Sequence, residues 1–152
     1  MVNRNDSLFV EHLLGLPEFM AFDFFYHNCH KIIDDSNYWN LLGTLWKKCG
    51  SVINLLLWIE LFRSNRKNRH KIMKNRERKR WRSLPKKVIA YRAINNKAEI
   101  ETAISWTLNK KIADDIFSHK GLRQVVSKKF DKKDILAFFD RRGEEEIIVL
   151  PK

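Results

Sequence analysis

Five glycines in 152 residues leave no room for a glycine-rich phosphate-binding loop, and none is present. Only two cysteines occur, Cys29 and Cys49. They cannot make a disulfide framework, and they fit a reducing cytoplasm in which free cysteine acts as a small buried hydrophobe. Long apolar runs are missing as well. The longest, residues 52–62, is broken by Asn54 and Glu60. A membrane span needs about 20 mostly apolar residues, so the expectation is no membrane partner and a cytoplasmic location. The N-terminus is polar and has no secretory pattern. His27, Cys29 and His30 lie close together, but no second half-site with fitting spacing follows, so no metal is expected. Nothing marks a nucleophile elbow or a Cys–His hydrolase.

What is abundant is positive charge. There are 30 Lys and Arg against 18 Asp and Glu, a formal +12. Residues 63–87 hold 13 of the basic residues and one acid, Glu77. This segment predicts contact with RNA, DNA or an acidic protein, although no zinc-finger or RNA-recognition signature accompanies it. Apolar residues make up 44% of the chain, enough for a real core.

The apolar pattern divides the chain. Over residues 8–62 it is helical: Leu8, Phe9, Leu13 and Leu14, then Phe19, Phe22, Phe25 and Tyr26 after Pro17. Asp34-Asp35-Ser36-Asn37 is a turn and cap cluster, and Trp39, Leu42, Leu45 and Trp46 form the next stripe. A further helix is predicted over 70–81, ended by Leu84-Pro85. Beyond Pro85 the period shifts towards two. Strands are predicted at 88–91, 104–107, about 125–126, 135–139 and 145–150, with one helix around Ile112 to Phe117. The expected fold is α+β, with a helical region 1–83 carrying the basic segment and a β core 84–152 on a small mixed sheet. At 69 residues the β core is too small to bury much surface alone, so the two are expected to form one folding unit with the helices completing the core.

Three pieces of the β core carry chemistry. Tyr91-Arg92 closes the first strand, and a guanidinium fork matches phosphate oxygens. Ser105 and Thr107 share a strand face, opposite Trp106, and two hydroxyls can hold a ribose or orient a carboxylate. Glu144 and Glu146 are expected to share a face at the head of a buried Ile-Ile-Val-Leu strand. Taken singly, each also reads as ordinary surface charge or an ordinary polar strand face.

In this order the pieces resemble the arginine–serine–glutamate class of mono-ADP-ribosyltransferases, over roughly residues 84–152. The resemblance runs through Leu84-Pro85, Tyr91-Arg92, Ser105-Trp106-Thr107, the helix of residues 111–117, the strand 134–139 and Glu144-Glu145-Glu146. The helical leader ending in a basic segment also looks like small bacteriophage proteins. The resemblance implies NAD as co-substrate and no metal. Tyr91 and Arg92 would hold the dinucleotide, and Ser105, Trp106 and Thr107 would brace its site. Glu146 would be the catalytic carboxylate, and Glu144 would act on the acceptor, a host protein or nucleic acid. Ala93 stands where the family usually has glycine, Leu108 stands where a second hydroxyl residue often follows, and the segment between the first two strands is short. The competing expectation is a catalytically silent binding protein on the same scaffold. It would inhibit a host or defence complex, or bind nucleic acid, through the basic helix.

Overall fold

The computed structural model describes residues 4–152. The chain divides into two compact units, one ending at Ile72 and the other spanning Met73–Lys152. Together they make an α+β protein.

The first unit is helical: α1 (Arg4–Leu14), α2 (Glu18–Asn28), α3 (Asp35–Cys49) and α4 (Leu55–Phe62). The boundaries follow from local chemistry. Pro17, which cannot sit inside a helix without cost, precedes α2. Asp34 caps α3 by accepting from the Ser36 N–H at 2.7 Å, and Asn54 caps α4 by accepting from that of Leu56 at 2.8 Å. α3 ends at Gly50, a position that only glycine fits, because a Cβ there would stand 2.6 Å from the Trp46 carbonyl oxygen. The core is aromatic. Trp58 meets Phe22 at 4.6 Å and Trp46 at 5.2 Å between ring centroids, both edge to face. Tyr38 lies under Phe25 and donates its hydroxyl to the Leu61 carbonyl at 2.7 Å.

A buried carboxylate ties α1 to the start of α3. Asp6 is 1% exposed and accepts from the backbone N–H groups of Ile33 and Asp34, both at 2.8 Å, and from Asn37 at 3.0 Å.

The second unit is a sheet with helices around it. α5 (Asn75–Ser83) precedes β1 (Lys87–Ile94), followed by α6 (Glu99–Thr102), β2 (Ser105–Thr107) and α7 (Lys110–Ile112). α7 runs on as a π-helical turn, Ala113–Phe117, before β3 (Gln124–Asp131), β4 (Ile135–Phe139) and β5 (Glu146–Val149). The strand order is β3-β1-β2-β5-β4. Every pairing is antiparallel, which corrects the expected mixed sheet. Short connections account for two of the pairings, since residues 95–104 join β1 to β2 and residues 140–145 join β4 to β5, fewer than the dozen or so that a parallel crossover needs.

β3 and β4 are the two edges, yet only a 3₁₀ turn, Lys132–Asp134, joins them. Four strand spacings of about 4.8 Å would put flat edges about 19 Å apart. Four residue steps reach about 14 Å at most. The sheet is therefore sharply bent. β4 and β5 are buried along their whole length. Trp106 is 2% exposed and packs edge to face on Phe130 at 5.2 Å.

α5 belongs to this unit: its Trp81 donates to the Ile135 carbonyl at 3.0 Å, and just before the helix the Met73 sulfur accepts from the Phe138 N–H at 3.3 Å. The helix expected over 70–81 is two pieces, a 3₁₀ turn Arg69–Ile72 and then α5.

Burial alone would raise the pKa of Asp6, but donation from Ile33, Asn37 and Asp34 and the charge of Arg66 together hold it below the ordinary value. Its folded-state pKa is thus depressed. The stability it contributes is complete above the unfolded aspartate range near about 3.9 and is lost as pH falls through the lower folded value. Asp6→Ala is expected to cost about 2–3 kcal/mol in denaturant unfolding at neutral pH, with the deficit shrinking in acid. An equal deficit at every pH would show that the ionised carboxylate is not what holds α1.

Candidate active site

The register of the three central strands sets up the site. Tyr91 on β1 faces Thr107 on β2, and Thr107 faces Glu146 on β5, so the three form one row across the sheet. Ser105 lies two residues back along β2, on the same face as Thr107. Its hydroxyl donates to Oε2 of Glu146. Glu146 is 8% exposed and sits at the first position of a wholly buried strand.

Arg92 reaches the same serine from the other side. Tyr91 and Thr107 set the β1–β2 register, and Arg92 lies just beyond that pair. One terminal nitrogen donates to the main-chain carbonyl of Ser105 at 2.8 Å, and the other pairs with Glu99 on α6 at 3.0 Å. Ser105 is therefore the link: its carbonyl takes Arg92 and its hydroxyl takes Glu146. An arginine, a serine and a glutamate 54 positions apart in the chain become one hydrogen-bonded series over three adjacent strands. The Nε of Arg92 is buried and has no hydrogen-bond partner among the described residues.

Thr107 is 2% exposed and holds the chain before β5. Its hydroxyl donates to the Glu144 carbonyl at 2.7 Å and accepts from the Asn109 N–H at 3.1 Å. Trp106 points away from these groups and donates to the Ala103 carbonyl at 3.2 Å. It is a core residue that fixes β2.

Glu144 precedes β5, and Glu145 between the two glutamates has a φ of 46°. The pleat alternation that put Glu144 and Glu146 on one face does not apply across a left-handed residue. Glu144 is placed instead by its carbonyl on Thr107. The left-handed turn is over-determined by its partners. The Glu145 carboxylate accepts from Arg80 on α5 at 3.0 Å and from Asn109 at 2.8 Å, and its carbonyl accepts from the Leu108 N–H at 2.9 Å. The Asn109 and Arg80 bonds hold the Glu145 carboxyl below the usual carboxylate range, against the upward push of burial.

Several functional-site neighbours escaped the reading of the sequence. Glu99 carried no motif, because its role comes from an ion pair that forms only when the turn after β1 folds α6 back onto Arg92. Asn109 did carry a signal: an asparagine just before a helical pattern is an N-cap, and it accepts from Lys111 at 3.0 Å. Glu77 is 1% exposed inside the most basic stretch of the chain. It accepts from the N–H groups of Lys74 and Asp140, both at 2.7 Å, and from Arg141 at 3.3 Å, so it clamps the turn that leads to Glu144. The two positions that depart from the family pattern are occupied structurally. Ala93 is buried in β1 opposite Val125, and Leu108 supplies the N–H that the Glu145 carbonyl accepts. Among the described residues no three His, Cys, Asp or Glu side chains are grouped to hold a metal, and no helix is long and apolar enough to cross a membrane. Comparisons with protein-family models, with curated proteins and with solved structures find no match to this chain.

Burial alone would raise the pKa of Glu99. The backbone N–H groups of Asn95 and Asn96 and the Arg92 guanidinium outweigh it and hold the carboxyl below its ordinary value. Its contribution to stability is present above the unfolded glutamate range near about 4.3 and disappears as pH falls through the folded value. A carboxyl-detected NMR titration is expected to find Glu99 below the ordinary range, and Arg92→Ala to move its midpoint part of the way back. An unmoved midpoint would show that the guanidinium does not reach that carboxylate in solution.

Proposed function

We propose that this protein is an NAD-dependent mono-ADP-ribosyltransferase with Glu146 as its catalytic carboxylate, on a sheet of the type found in that enzyme class. The observation that carries the reading is the Arg92–Ser105–Glu146 series across β1, β2 and β5. The donor set suits a dinucleotide: a guanidinium for phosphate, hydroxyls for ribose and a fixed carboxylate for developing positive charge. An unpartnered buried Arg92 Nε also favours a working site over a structural one, because an orphaned donor costs about 1–3 kcal/mol.

NAD supplies the ADP-ribosyl group: nicotinamide leaves with the electron pair of the broken bond to ribose, and the acceptor's nucleophile forms a new bond to the same carbon. The residues have separate tasks. Glu146 places negative charge beside the ribose as positive charge grows there, much as a carboxylate does in glycoside hydrolysis. Ser105 holds one carboxylate oxygen and so fixes its direction. Arg92 braces Ser105 through its carbonyl. Its second nitrogen meets a phosphate when Glu99 gives way, because Glu99 occupies that position. Glu144, set by Thr107, accepts the proton of the incoming nucleophile.

The filled fork of Arg92 favours a second reading, a catalytically silent binding protein on the same scaffold that acts on a host or defence complex. Titration calorimetry with NAD separates the two: heat of binding supports the transferase, and none supports the silent scaffold. With labelled NAD and a cytoplasmic extract, Glu146→Gln is expected to lower transfer by about 10²–10³-fold while thermal unfolding stays unchanged. Transfer at the wild-type rate by that variant removes Glu146 from the role.

A further inference from the structure

We infer that the acceptor in this reaction is a nucleic acid, held by its phosphates along α5 beside the glutamate turn. The inference rests on the transferase reading and adds its substrate class.

The charge of the protein is concentrated in one unit. Residues 73–152 carry 21 Lys and Arg against 11 Asp and Glu, while residues 1–72 carry 9 against 7. Within the second unit α5 is the densest element, with Arg76, Arg78, Lys79, Arg80 and Arg82 in nine residues. Its one acid does not offset them at the surface, because Glu77 is turned inward and spent on Lys74, Asp140 and Arg141. Trp81, one turn later, points inward too. Arg76, Lys79 and Arg82 are exposed away from it, and Arg80 sits at the flank, turned to Glu145 and the Phe138 ring. Neighbours three and four residues apart on a helix are about 4.5–6 Å apart along its axis, a spacing that suits successive phosphates. Lys132 and Lys86 continue the row, since Lys132 donates its ammonium to the Arg82 carbonyl at 2.6 Å and its N–H to the Lys86 carbonyl at 2.8 Å.

This row is fastened to the proposed catalytic strand. Arg80 pairs with Glu145 at 3.0 Å, one residue before Glu146, and Arg76 donates to the Asp140 carbonyl at 3.2 Å at the start of the same turn. A strand lying on α5 is thus delivered to the turn that carries Glu144 and Glu146. A nitrogen or oxygen of one nucleotide then bonds to the ribose carbon as the bond to nicotinamide breaks, and its proton passes to Glu144.

The other partners of a basic helix fit less well. A membrane-surface helix needs an exposed apolar face, and an interface with an acidic protein needs an apolar centre. α5 offers neither: its one large apolar side chain, Trp81, is bonded to β4 and capped by Lys132, whose ammonium lies 5.2 Å from the ring.

The test uses the full chain, NAD labelled in its adenylate, and a cytoplasmic extract supplemented with single-stranded RNA and DNA oligonucleotides. Label in material that nuclease destroys and protease spares is the expected result. In Lys79→Glu/Arg82→Glu the salt slope of oligonucleotide binding is expected to shrink by about one to two, and transfer per NAD consumed to fall at least tenfold. Both substitutions lie at exposed positions, and K79Q/R82Q gives the same direction if the reversed charges disturb folding. NAD consumed with all label in protein overturns the nucleic-acid acceptor and leaves the transferase standing. No consumption of NAD under any condition removes both.

Discussion

The bond from the Ser105 hydroxyl to the Glu146 carboxylate is the interaction on which the rest of the site depends. A carboxylate on a buried strand is costly unless its oxygens have partners, and β2 is placed to supply one. Placing it requires β2 to lie between β1 and β5, which the antiparallel order β3-β1-β2-β5-β4 achieves. Arg92 then braces the serine from its main-chain side, so no member of the series stands on a loop of its own. Rigid strands hold all three groups, and side chains on strands are held more closely than side chains on loops.

Around that series lies a second set of bonds that positions the approach to Glu146. Glu77 clamps the turn at Asp140, Thr107 fixes Glu144, and Arg80 with Asn109 holds Glu145 in its left-handed conformation. One helix, α5, contributes to two of these contacts while keeping its cations outside. A basic helix that also buttresses the glutamate turn would join the proposed recognition of a polyanion to the proposed chemistry.

Much of this was legible in the residues themselves. The Ile-Leu-Ala-Phe-Phe run appears as β4 over the residues its pattern marked, and Asp34 caps its helix as its side chain suggested. Other elements depended on partners the sequence does not display. β3 spans eight residues, not the two that looked strand-like, because it pairs with β1 along its whole length. Its Lys128 and Lys129 are poor strand formers carried by that pairing. The same-face argument for Glu144 and Glu146 failed at Glu145, whose backbone conformation is set by Arg80 and Asn109, distant in sequence. The ion pair between Arg92 and Glu99 likewise arises from the fold and not from any spacing.

The central claim is that Arg92, Ser105 and Glu146 form one dinucleotide site. Amide NMR of the full chain titrated with NAD tests it most directly. The account predicts saturable shifts concentrated at residues 91–92, 105–107 and 144–146, with weaker changes at Glu99 as its carboxylate leaves the Arg92 fork. Saturable shifts confined to α1–α4, or none at all with NAD in large excess, would contradict it.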